Sequence, residues 1–353
     1  MTEGAATDVP VDLRGRHVVF VVTEDWYFWS HRLPLARAAR DAGAEVTVAT
    51  RVTGHGERIE REGVRLVDVP FDRSGLHPGR DAATLVSLVR LYRTLRPDLV
   101  HHVAMKPVLY GSLAARLAGV PAVVNAMAGL GFVFTAEGRA ARLLRRPVAA
   151  ALALACRRAN TRVIVQNEDD LAVFTQRLGV RPEQIALIAG SGVDLDLFRP
   201  LPEPPTPPVV AVCAARMLWD KGIGELVEAA RLLHREGVPL RVRLVGDTDA
   251  NPRSISEATL AAWQAEGVVD VVGRSEDIAG EYARAHVAVL PSYREGLPKA
   301  LLEAAACGRP MISTATPGCR DVCRDGETGL SVPPRDPAAL AAALARLAGD
   351  AEL

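Results

Sequence analysis

The sequence predicts an α/β protein built from two doubly wound parallel sheets. Three observations support this: short β-branched runs alternate with Ala/Leu/Arg-rich segments, several of those segments end in Gly, and one proline-rich stretch interrupts the alternation. Continuous apolar strands fit a parallel sheet that is buried on both faces. Their alternation with helices is typical of Rossmann-like, doubly wound architecture.

The predicted elements follow one another in the same order in both halves. The first half supplies the strands HVVFVV, EVTVAT, PDLVHHV and PAVVNAM, separated by helical segments such as RLPLARAARDAG and GSLAARLAG. The second half supplies the strands VVAVCAAR, LRVRLVG, VVDVVG and VAVLPS, with the helical segment GELVEAARLLHREG after the first of them. Helices commonly stop at a glycine, as these segments do.

A stiff connector separates the two halves. Six prolines fall between Pro200 and Pro208 in RPLPEPPTPPVV, which predicts an extended linker over 200–208. We therefore predict one domain over residues 1–199 and a second over 209–353. Ligands of open α/β sheets bind outside the carboxyl ends of the strands, so we expect the two domains to face a common cleft.

Composition excludes several classes of protein. Lys and Arg together number 42, as do Asp and Glu, so the net charge gives no reason to expect a nucleic-acid partner. Five cysteines without a CxxC pair argue against a disulfide framework and a zinc site. The polar start MTEGAATDVPVDLRGR lacks a signal-peptide core, and the longest apolar run, Val148 to Cys156, is too short to cross a bilayer. These features predict a soluble, cytoplasmic protein.

The stretch SYREGLPKALLEAAACGRP predicts an anion site at a helix start. Pro298 suits the first helical position, and the N–H groups around Leu297, Lys299 and Ala300 would be left unsatisfied at the positive end of the helix dipole. Phosphate is the usual ligand of such a site. The loop TEDWYFWSHR lacks GxGxxG and no GxxxxGK[ST] occurs, which argues against a dehydrogenase or a P-loop enzyme.

Charged residues around this helix start suggest how a nucleotide-sugar would be held. Glu303 lies among apolar neighbours about one turn into the helix, where the vicinal hydroxyls of a ribose would supply its donors. Glu295 would reach the sugar. Arg216 and Lys221 follow the first strand of the second half and could converge on a diphosphate. Each alone could be an ordinary charged loop residue, but their order on strand ends favours one site.

The pattern R-x4-K-G, followed by E-G-L-P-K-x3-E-A, resembles the family 4 retaining glycosyltransferases of GT-B fold, and the two glutamates match that family's E-x7-E motif. The similarity is strongest to the bacterial branch that builds polysaccharides and glycan precursors on polyprenyl diphosphate carriers. It covers most of the chain, including SHRLPLARAARDAGAEVTVAT, VHHVAMKPVLYGSLAARLAGVP, GLGFVFT, GSGVDLDLF, ARMLWDKG and PGCRDVCRDGETGLSVPPRDPAALA.

The resemblance implies a role for each matching residue. The donor, expected to be a UDP-sugar, would be bound through its diphosphate, ribose, sugar and base by Arg216, Lys221, Gly296, Leu297, Pro298, Lys299, Glu303, Glu295, Gly273 and Arg274. Arg216, Lys221 and Glu295 would also be catalytic, as would His101 or His102 at a strand end of the first half. Lys106, close to these histidines in sequence, would contact the acceptor. The departing phosphate would take the acceptor proton on the same face, which gives retention without a metal or any cofactor beyond the nucleotide-sugar.

The chain also departs from its relatives. Many carry a glycine pair where this chain has DWYFWSH, so Trp26, Phe28 and Trp29 would either form an acceptor platform or anchor the core, while Ser30 and His31 are assigned to the acceptor. The family's C-terminal crossover helices are expected to be absent. A nucleotide-sugar epimerase and a non-catalytic nucleotide-sugar-binding protein are the alternative functions.

One segment, RAARLLRRPVAAALALACRR, predicts either a solvated helix face or peripheral contact with an anionic membrane. Its arginines are Arg139, Arg142, Arg145, Arg146, Arg157 and Arg158.

Overall fold

The computed structural model describes residues 12–72, 77–129 and 139–350, and for residues 139–144 it describes the backbone alone. All of GLGFVFT except its first glycine, most of the acidic N-terminal stretch, and the side chains of Arg139 and Arg142 therefore lie outside the described residues. The chain divides into two compact units. The N-terminal unit runs to Val165 and includes Leu171–Leu187, and the C-terminal unit consists of Gln166–Asp170 and the chain from Ile188 onward.

The N-terminal unit is built on a seven-stranded sheet in the order β3-β2-β1-β4-β5-β6-β7, and all its strand pairs are parallel. The strands are β1 (His17–Glu24), β2 (Glu45–Arg51), β3 (Arg65–Asp68), β4 (Leu99–Val103), β5 (Ala122–Ala126), β6 (Thr161–Val165) and β7 (Ile185–Leu187). Val18 to Val22 are each at most 5% exposed, which explains why these five consecutive residues of β1 are all apolar rather than apolar at alternate positions.

The helices of this region connect the strands. They are α1 (Asp25–His31), α2 (Leu33–Asp41), α3 (Gly56–Arg61), α4 (Pro78–Leu95), α5 (Ser112–Ala118), α6 (Arg139–Cys156) and α7 (Glu168–Ala172), the last of which crosses from Gln166–Asp170 into Leu171–Leu187. Short π-helical turns occupy Pro107–Gly111 and Val173–Arg177, and a 3₁₀ turn occupies Pro182–Gln184. Among the described residues, no helix combines the length and the apolar character needed to cross a membrane.

The C-terminal unit is built on a six-stranded parallel sheet in the order β10-β9-β8-β11-β12-β13. The strands are β8 (Val209–Ala214), β9 (Leu240–Val245), β10 (Val269–Gly273), β11 (Val287–Leu290), β12 (Met311–Thr314) and β13 (Gly329–Val332). The helices are α8 (Ile223–Arg235), α9 (Glu257–Glu266), α10 (Ile278–Ala283), α11 (Lys299–Ala306), α12 (Cys319–Val322) and α13 (Pro337–Gly349), and a 3₁₀ turn covers Trp219–Lys221.

Two parallel-sheet α/β units confirm the predicted fold class. The predicted glycine stops also hold, because Gly43, Gly119 and Gly237 follow the ends of α2, α5 and α8 with positive φ angles of 98°, 75° and 72°. The strand order reverses between β8 and β11 in the C-terminal unit, which is where an open α/β sheet offers a crevice for ligand.

Two local expectations were wrong. DWYFWSH is not a turn but a helix, α1, which follows β1 directly. The helix after YREG begins at Lys299, so Pro298 is its N-cap residue with extended backbone rather than its first helical residue. The aromatic residues of DWYFWSH are compatible with a turn or a helix, and Pro298 is compatible with the N-cap or the first helical position. The sequence pattern therefore does not decide either case.

A buried carboxylate fixes the loop after β2 onto the start of α1. Asp25 is fully buried and accepts hydrogen bonds from the backbone N–H groups of Thr53, Gly54 and His55 at 2.7, 2.8 and 2.8 Å, as well as from the Thr53 hydroxyl at 2.6 Å. Burial raises the pKa of Asp25, but these hydrogen bonds outweigh burial and lower it to about 2. The side chain is therefore ionised and structural.

Candidate active site

A lysine–glutamate pair joins the two loops at the switch point of the C-terminal sheet. Lys221 follows β8 and Glu295 follows β11, and the lysine Nζ donates to Glu295 Oε1 at 2.5 Å. The same oxygen accepts from the Ser292 hydroxyl at 2.6 Å. Both side chains are mostly buried, 20% and 14% exposed. The pair is thus preorganised, because burial and the hydrogen bond between the two side chains restrict their conformations.

Arg216 lies beyond the end of β8 and is held from the side. Its Nη1 donates to Asp249 Oδ2 at 2.8 Å, and the aspartate side chain is only 6% exposed. Asp249 Oδ1 in turn accepts from the Asn251 N–H at 2.9 Å, and the Asp249 N–H donates to the Ser254 hydroxyl at 2.9 Å. One guanidinium nitrogen is therefore engaged, and the other nitrogens of the fork have no hydrogen-bond partner within the described part of the chain.

The first turn of α11 supplies unsatisfied backbone donors. Leu301 and Leu302 donate to the Pro298 carbonyl oxygen at 3.1 and 3.3 Å, so the N–H groups without an intrahelical acceptor are those of Lys299 and Ala300. Lys299 itself turns along the helix, where its Nζ lies 2.9 Å from Glu303 Oε1. Glu303 is 9% exposed; burial raises its pKa, and the charge and hydrogen bond of Lys299 act in the opposite direction. The helix start thus places backbone N–H groups at the positive end of the helix dipole, with an acidic side chain one turn further on.

Two glycines that sequence reasoning did not single out let neighbouring loops approach this region. Gly318 has a φ of 79°, and a Cβ there would lie 2.5 Å from the Gly296 carbonyl oxygen and 2.8 Å from that of Glu295. Gly222, with a φ of 71°, would place a Cβ 2.1 Å from the Pro291 carbonyl oxygen. A side chain at either position would displace the loop that carries the glutamate.

Further support for this loop comes from Asn167. Its side-chain amide donates to the Gly296 carbonyl oxygen at 2.7 Å, and Asn167 is 3% exposed. In the same segment, Oδ1 of the buried Asp170 accepts a hydrogen bond from Arg294 Nη2 at 2.5 Å. Neither contact could be predicted from the sequence, because more than a hundred residues separate the partners.

The ends of β9 and β10 form a cavity. Gly273 closes β10 with a φ of 75°, and its carbonyl oxygen accepts from the Gly246 N–H at 2.8 Å. A cavity of about 330 Å³ lies beside them and is also lined by Asp247 and Gln264. Arg274 follows directly. Within residues 12–72, 77–129 and 139–350, no three His, Cys, Asp or Glu side chains come together as a metal site requires.

The two predicted histidines lie inside β4 rather than at its end, and they differ in their surroundings. His102 is fully buried, with Nε2 2.9 Å from the Tyr92 hydroxyl and Nδ1 2.8 Å from Asn125 Oδ1. Burial lowers its pKa to about 4. His101 is 5% exposed, and its Nε2 has no hydrogen-bond partner among the described residues. Burial, then the charge of Arg32, lowers the pKa of His101 to about 3. Because successive strand residues face opposite sides of a sheet, the side chains of His101 and His102 lie on opposite sides of the N-terminal sheet.

Of the other predicted residues of the N-terminal unit, Trp26, Ser30 and His31 lie in α1, whereas Lys106 follows β4. Ser30 Oγ lies 2.6 Å from His31 Nδ1, and Trp26 packs edge-to-face on Tyr27 with ring centroids 5.7 Å apart. Lys106 Nζ donates to the Asp72 carbonyl oxygen at 2.6 Å and to Asp81 at 3.0 Å, and these two contacts use two of the three donors of the ammonium group.

The remaining aromatic residues of α1 favour the interpretation that this helix is anchored in the hydrophobic core. Phe28 is fully buried, and Trp29 packs against the same hydrophobic cluster.

Comparison with known proteins gives two family matches that together span most of the chain. The family described as glycosyl transferases group 1 matches residues 208–350, and the family described as glycosyl transferase 4-like matches residues 17–167. The first match includes all six strands of the C-terminal sheet, and the second includes β1 to β6 of the N-terminal sheet.

Curated relatives are bacterial enzymes. The chain is 32% identical over 347 residues to the 2-deoxystreptamine N-acetyl-D-glucosaminyltransferase of Streptomyces fradiae, covering 90% of this chain and 80% of that protein. It is 28% identical over 312 residues to the N,N'-diacetylbacillosaminyl-diphospho-undecaprenol alpha-1,3-N-acetylgalactosaminyltransferase of Campylobacter jejuni, covering 85% and 80%. It is 26% identical over 300 residues to the UDP-Gal:alpha-D-GlcNAc-diphosphoundecaprenol alpha-1,3-galactosyltransferase of Escherichia coli, covering 82% and 76%.

Solved structures share the fold. The Anabaena protein HepE in complex with UDP and glucose superposes with a TM-score of 0.72 at 18% identity, over 95% of this chain and 90% of that one. Sucrose-phosphate synthase of Thermosynechococcus elongatus gives a TM-score of 0.74 at 22% identity, over the same shares.

Proposed function

Because the chain belongs to the family 4 glycosyltransferases of GT-B fold, we propose that it moves a sugar from a UDP-sugar to an acceptor hydroxyl with retention of configuration and without a metal ion. The observation that carries the proposal is the Lys221–Glu295 pair at the switch point of the C-terminal sheet. It sets a cation and a carboxylate together where a ligand of this fold binds.

The donor assignment follows the charges of the C-terminal unit. We assign the diphosphate to Arg216, Lys221 and the backbone from Gly296 through Leu297 and Pro298 to Lys299. Lys221 donates one hydrogen bond to Glu295, and an ammonium has three donors, so contact with a phosphate oxygen does not require the pair to break. The free part of the Arg216 fork suits a second phosphate oxygen.

The rest of the donor is assigned to the flanking groups. Glu303 is assigned to the ribose hydroxyls, since its burial makes hydrogen-bond donors necessary. Glu295 is assigned to the donor sugar. The base is assigned to the cavity beside Gly273 and to Arg274.

The chemistry follows from where charge develops. The bond between the anomeric carbon and the phosphate oxygen breaks, the acceptor oxygen bonds to the same face of that carbon, and the acceptor proton passes to the departing phosphate. Negative charge grows on the diphosphate, where Arg216, Lys221 and the start of α11 stabilise it. The substrate itself supplies the base, so neither glutamate is needed as a nucleophile.

The acceptor is proposed to be a glycan carried on a polyprenyl diphosphate. Two relatives whose names specify diphospho-undecaprenol acceptors support this class of substrate. We assign its binding to the N-terminal unit, through Trp26, Ser30, His31 and Lys106. Of the two histidines, His101 is the better candidate for catalysis, because both ring nitrogens of His102 already have partners.

Such an acceptor resides in a membrane, so we also propose peripheral contact with an anionic membrane at its inner, cytoplasmic face. The arginine-rich helix α6 supports this assignment.

A thermal-shift and titration panel tests the donor assignment. UDP and UDP-sugars should raise the melting temperature by mass action, with and without Mg²⁺, whereas GDP, dTDP and NAD should not. A Mg²⁺-dependent response would refute the metal-free part of the proposal. Conversion of a UDP-sugar without any acceptor would indicate an epimerase, and binding of UDP-sugars without transfer to any polyprenyl-diphosphate acceptor would indicate a binding protein.

A further inference from the structure

A groove of about 560 Å³ lies on the surface of the N-terminal unit, between the second half of α6 and the turn Val173–Arg177. Its floor is apolar and its rim is basic. The residues that matter here are Ala153, Leu154, Leu178, Arg157, Arg158 and Arg177. Arg177 belongs to a different element from the other two arginines, so the sequence alone does not bring the three together.

No acidic side chain in the described part of the chain neutralises the positive charge of the rim. Among the residues that the structure describes, Arg157, Arg158 and Arg177 form no ion pair. Arg157 is nevertheless fixed in place, because its Nε donates to the Leu178 carbonyl oxygen at 2.6 Å. It also lies over Gly179, where a Cβ would come within 2.6 Å of its Nη2. A prearranged guanidinium of this kind suits a phosphate group.

The apolar part of the groove is also exposed to solvent. Leu154 is 61% exposed in the last turn of α6, and Arg157 and Arg158 follow directly after the end of that helix at Cys156. Alanine methyl groups around it offer neither donors nor acceptors. An exposed leucine with arginines on its flank matches the boundary of a bilayer, where acyl chains meet phosphate headgroups. An acidic protein would satisfy the arginines but would leave this apolar floor without a matching group.

We propose that this groove binds the headgroup of an anionic phospholipid in a bilayer, with its phosphate on the three arginines and Leu154 directed to the acyl region. The inference rests on the proposed function, because an acceptor attached to a polyprenyl diphosphate places the enzyme at a membrane. It goes further in naming the surface and the kind of lipid.

Vesicle sedimentation tests the proposal directly. The wild-type chain should bind vesicles of phosphatidylcholine mixed with phosphatidylglycerol, should bind pure phosphatidylcholine poorly, and should lose affinity as salt is added. Arg158→Gln with Arg177→Gln should lower the partition coefficient about 30-fold. The matched control is Arg90→Gln with Arg116→Gln, two exposed arginines of the same unit outside the groove, and it should leave the coefficient unchanged. Leu154→Ser should weaken binding without removing its salt dependence.

Several results would overturn the proposal. These are equal binding to both kinds of vesicle, no binding to either, the same loss in the control as in the groove variant, and preferential binding of an acidic polypeptide such as polyglutamate. Titration with UDP separates this proposal from the donor assignment. The groove variant should bind UDP as the wild type does, and a chain that binds anionic vesicles through the groove but no UDP would refute only the donor assignment.

Discussion

Each basic side chain assigned to the donor diphosphate, or adjacent to it, is held by a carboxylate. The three pairs are Lys221–Glu295, Arg216–Asp249 and Lys299–Glu303. In each pair the acidic side chain is the more buried of the two. Removal of one acid therefore leaves a cation without its anchor, and the effect on binding depends on what else that acid does.

The two glutamates should respond differently to loss of charge. Glu303→Gln should weaken UDP about tenfold, since charge-assisted hydrogen bonds to the ribose are lost. Glu295→Gln should leave UDP affinity nearly unchanged, because Lys221 keeps its charge, but should lower kcat by about 10²–10³-fold. Calorimetry with UDP and initial rates at saturating donor measure the two effects. Glu327→Gln, at an exposed carboxylate of the same unit, is the control; equal UDP affinity in wild type and Glu303→Gln would contradict the ribose assignment.

Asp249 should act through Arg216. Asp249→Asn keeps the shape but removes the charge that orients the guanidinium, so UDP affinity should fall about tenfold. In a chain that already carries Arg216→Gln, the same change should cost little, because the two residues act as one unit. Asp270→Asn breaks an aspartate–arginine pair outside the site and should not change UDP affinity. Tighter UDP binding by Asp249→Asn would mean that the aspartate competes with the diphosphate instead.

At the scale of elements, the loop before α11 is shaped by its neighbours as much as by its own residues. The β12–α12 loop approaches through Gly318, and Asn167 holds the Gly296 carbonyl oxygen. These contacts set where the first N–H groups of α11 point. The position of the proposed diphosphate site is therefore determined by three chain segments, of which only one carries the recognisable motif.

Substitution of two glycines separates backbone strain from loop displacement. Gly318 and Gly326 have φ angles of 79° and 72°, so alanine is strained at both. Only at Gly318 would the new Cβ also meet the carbonyl oxygens of Glu295 and Gly296, whereas at Gly326 nothing lies within 4 Å. We expect both variants to have a lower melting temperature than the wild type. Only Gly318→Ala should also lose about 10²-fold in kcat/KM. Equal kinetics in the two variants would show that the loop tolerates the shift.

The sequence was sufficient for elements with a strong period and insufficient for contacts between distant residues. Apolar strands such as β1 and β8 were predictable because both of their faces are buried. Helix α1 was not, since DWYFWSH has no helical spacing of apolar residues and its N-cap, Glu24, makes no side-chain cap. Asp249 lies in a polar loop 33 residues from Arg216, and nothing in GDTDANPRS marks one of its acids as the partner. The roles assigned to the site residues and the domain limits at 199 and 209 stay predictions.

The acid sensitivity of the whole molecule should depend on Asp25. A pKa lowered to about 2 means that this carboxylate stabilises the fold above its unfolded pKa, near 4, and that the contribution is lost as the pH falls toward 2. The shift corresponds to about 2 kcal/mol of unfolding free energy. Asp25→Asn should therefore be less stable at neutral pH, and the difference from the wild type should narrow by about that amount between pH 5 and pH 2.

Urea unfolding followed by tryptophan fluorescence measures this difference, because Trp26 and Trp29 lie in the helix that Asp25 begins. A difference that stays constant across the acidic range would mean that the carboxylate is not the titrating group. A difference that widens on acidification would reverse the sign of the argument.

The three acid–base pairs also bear on how fast a donor arrives. Each pair sums to zero charge, so together they add little long-range attraction for a doubly charged nucleotide in solution. Without such a field, the encounter rate should vary little with ionic strength, unlike that of an enzyme that funnels its ligand through a basic cleft. The same neutrality leaves inorganic phosphate with little to gain at the crevice, because it carries neither a base nor a ribose to add to the contact.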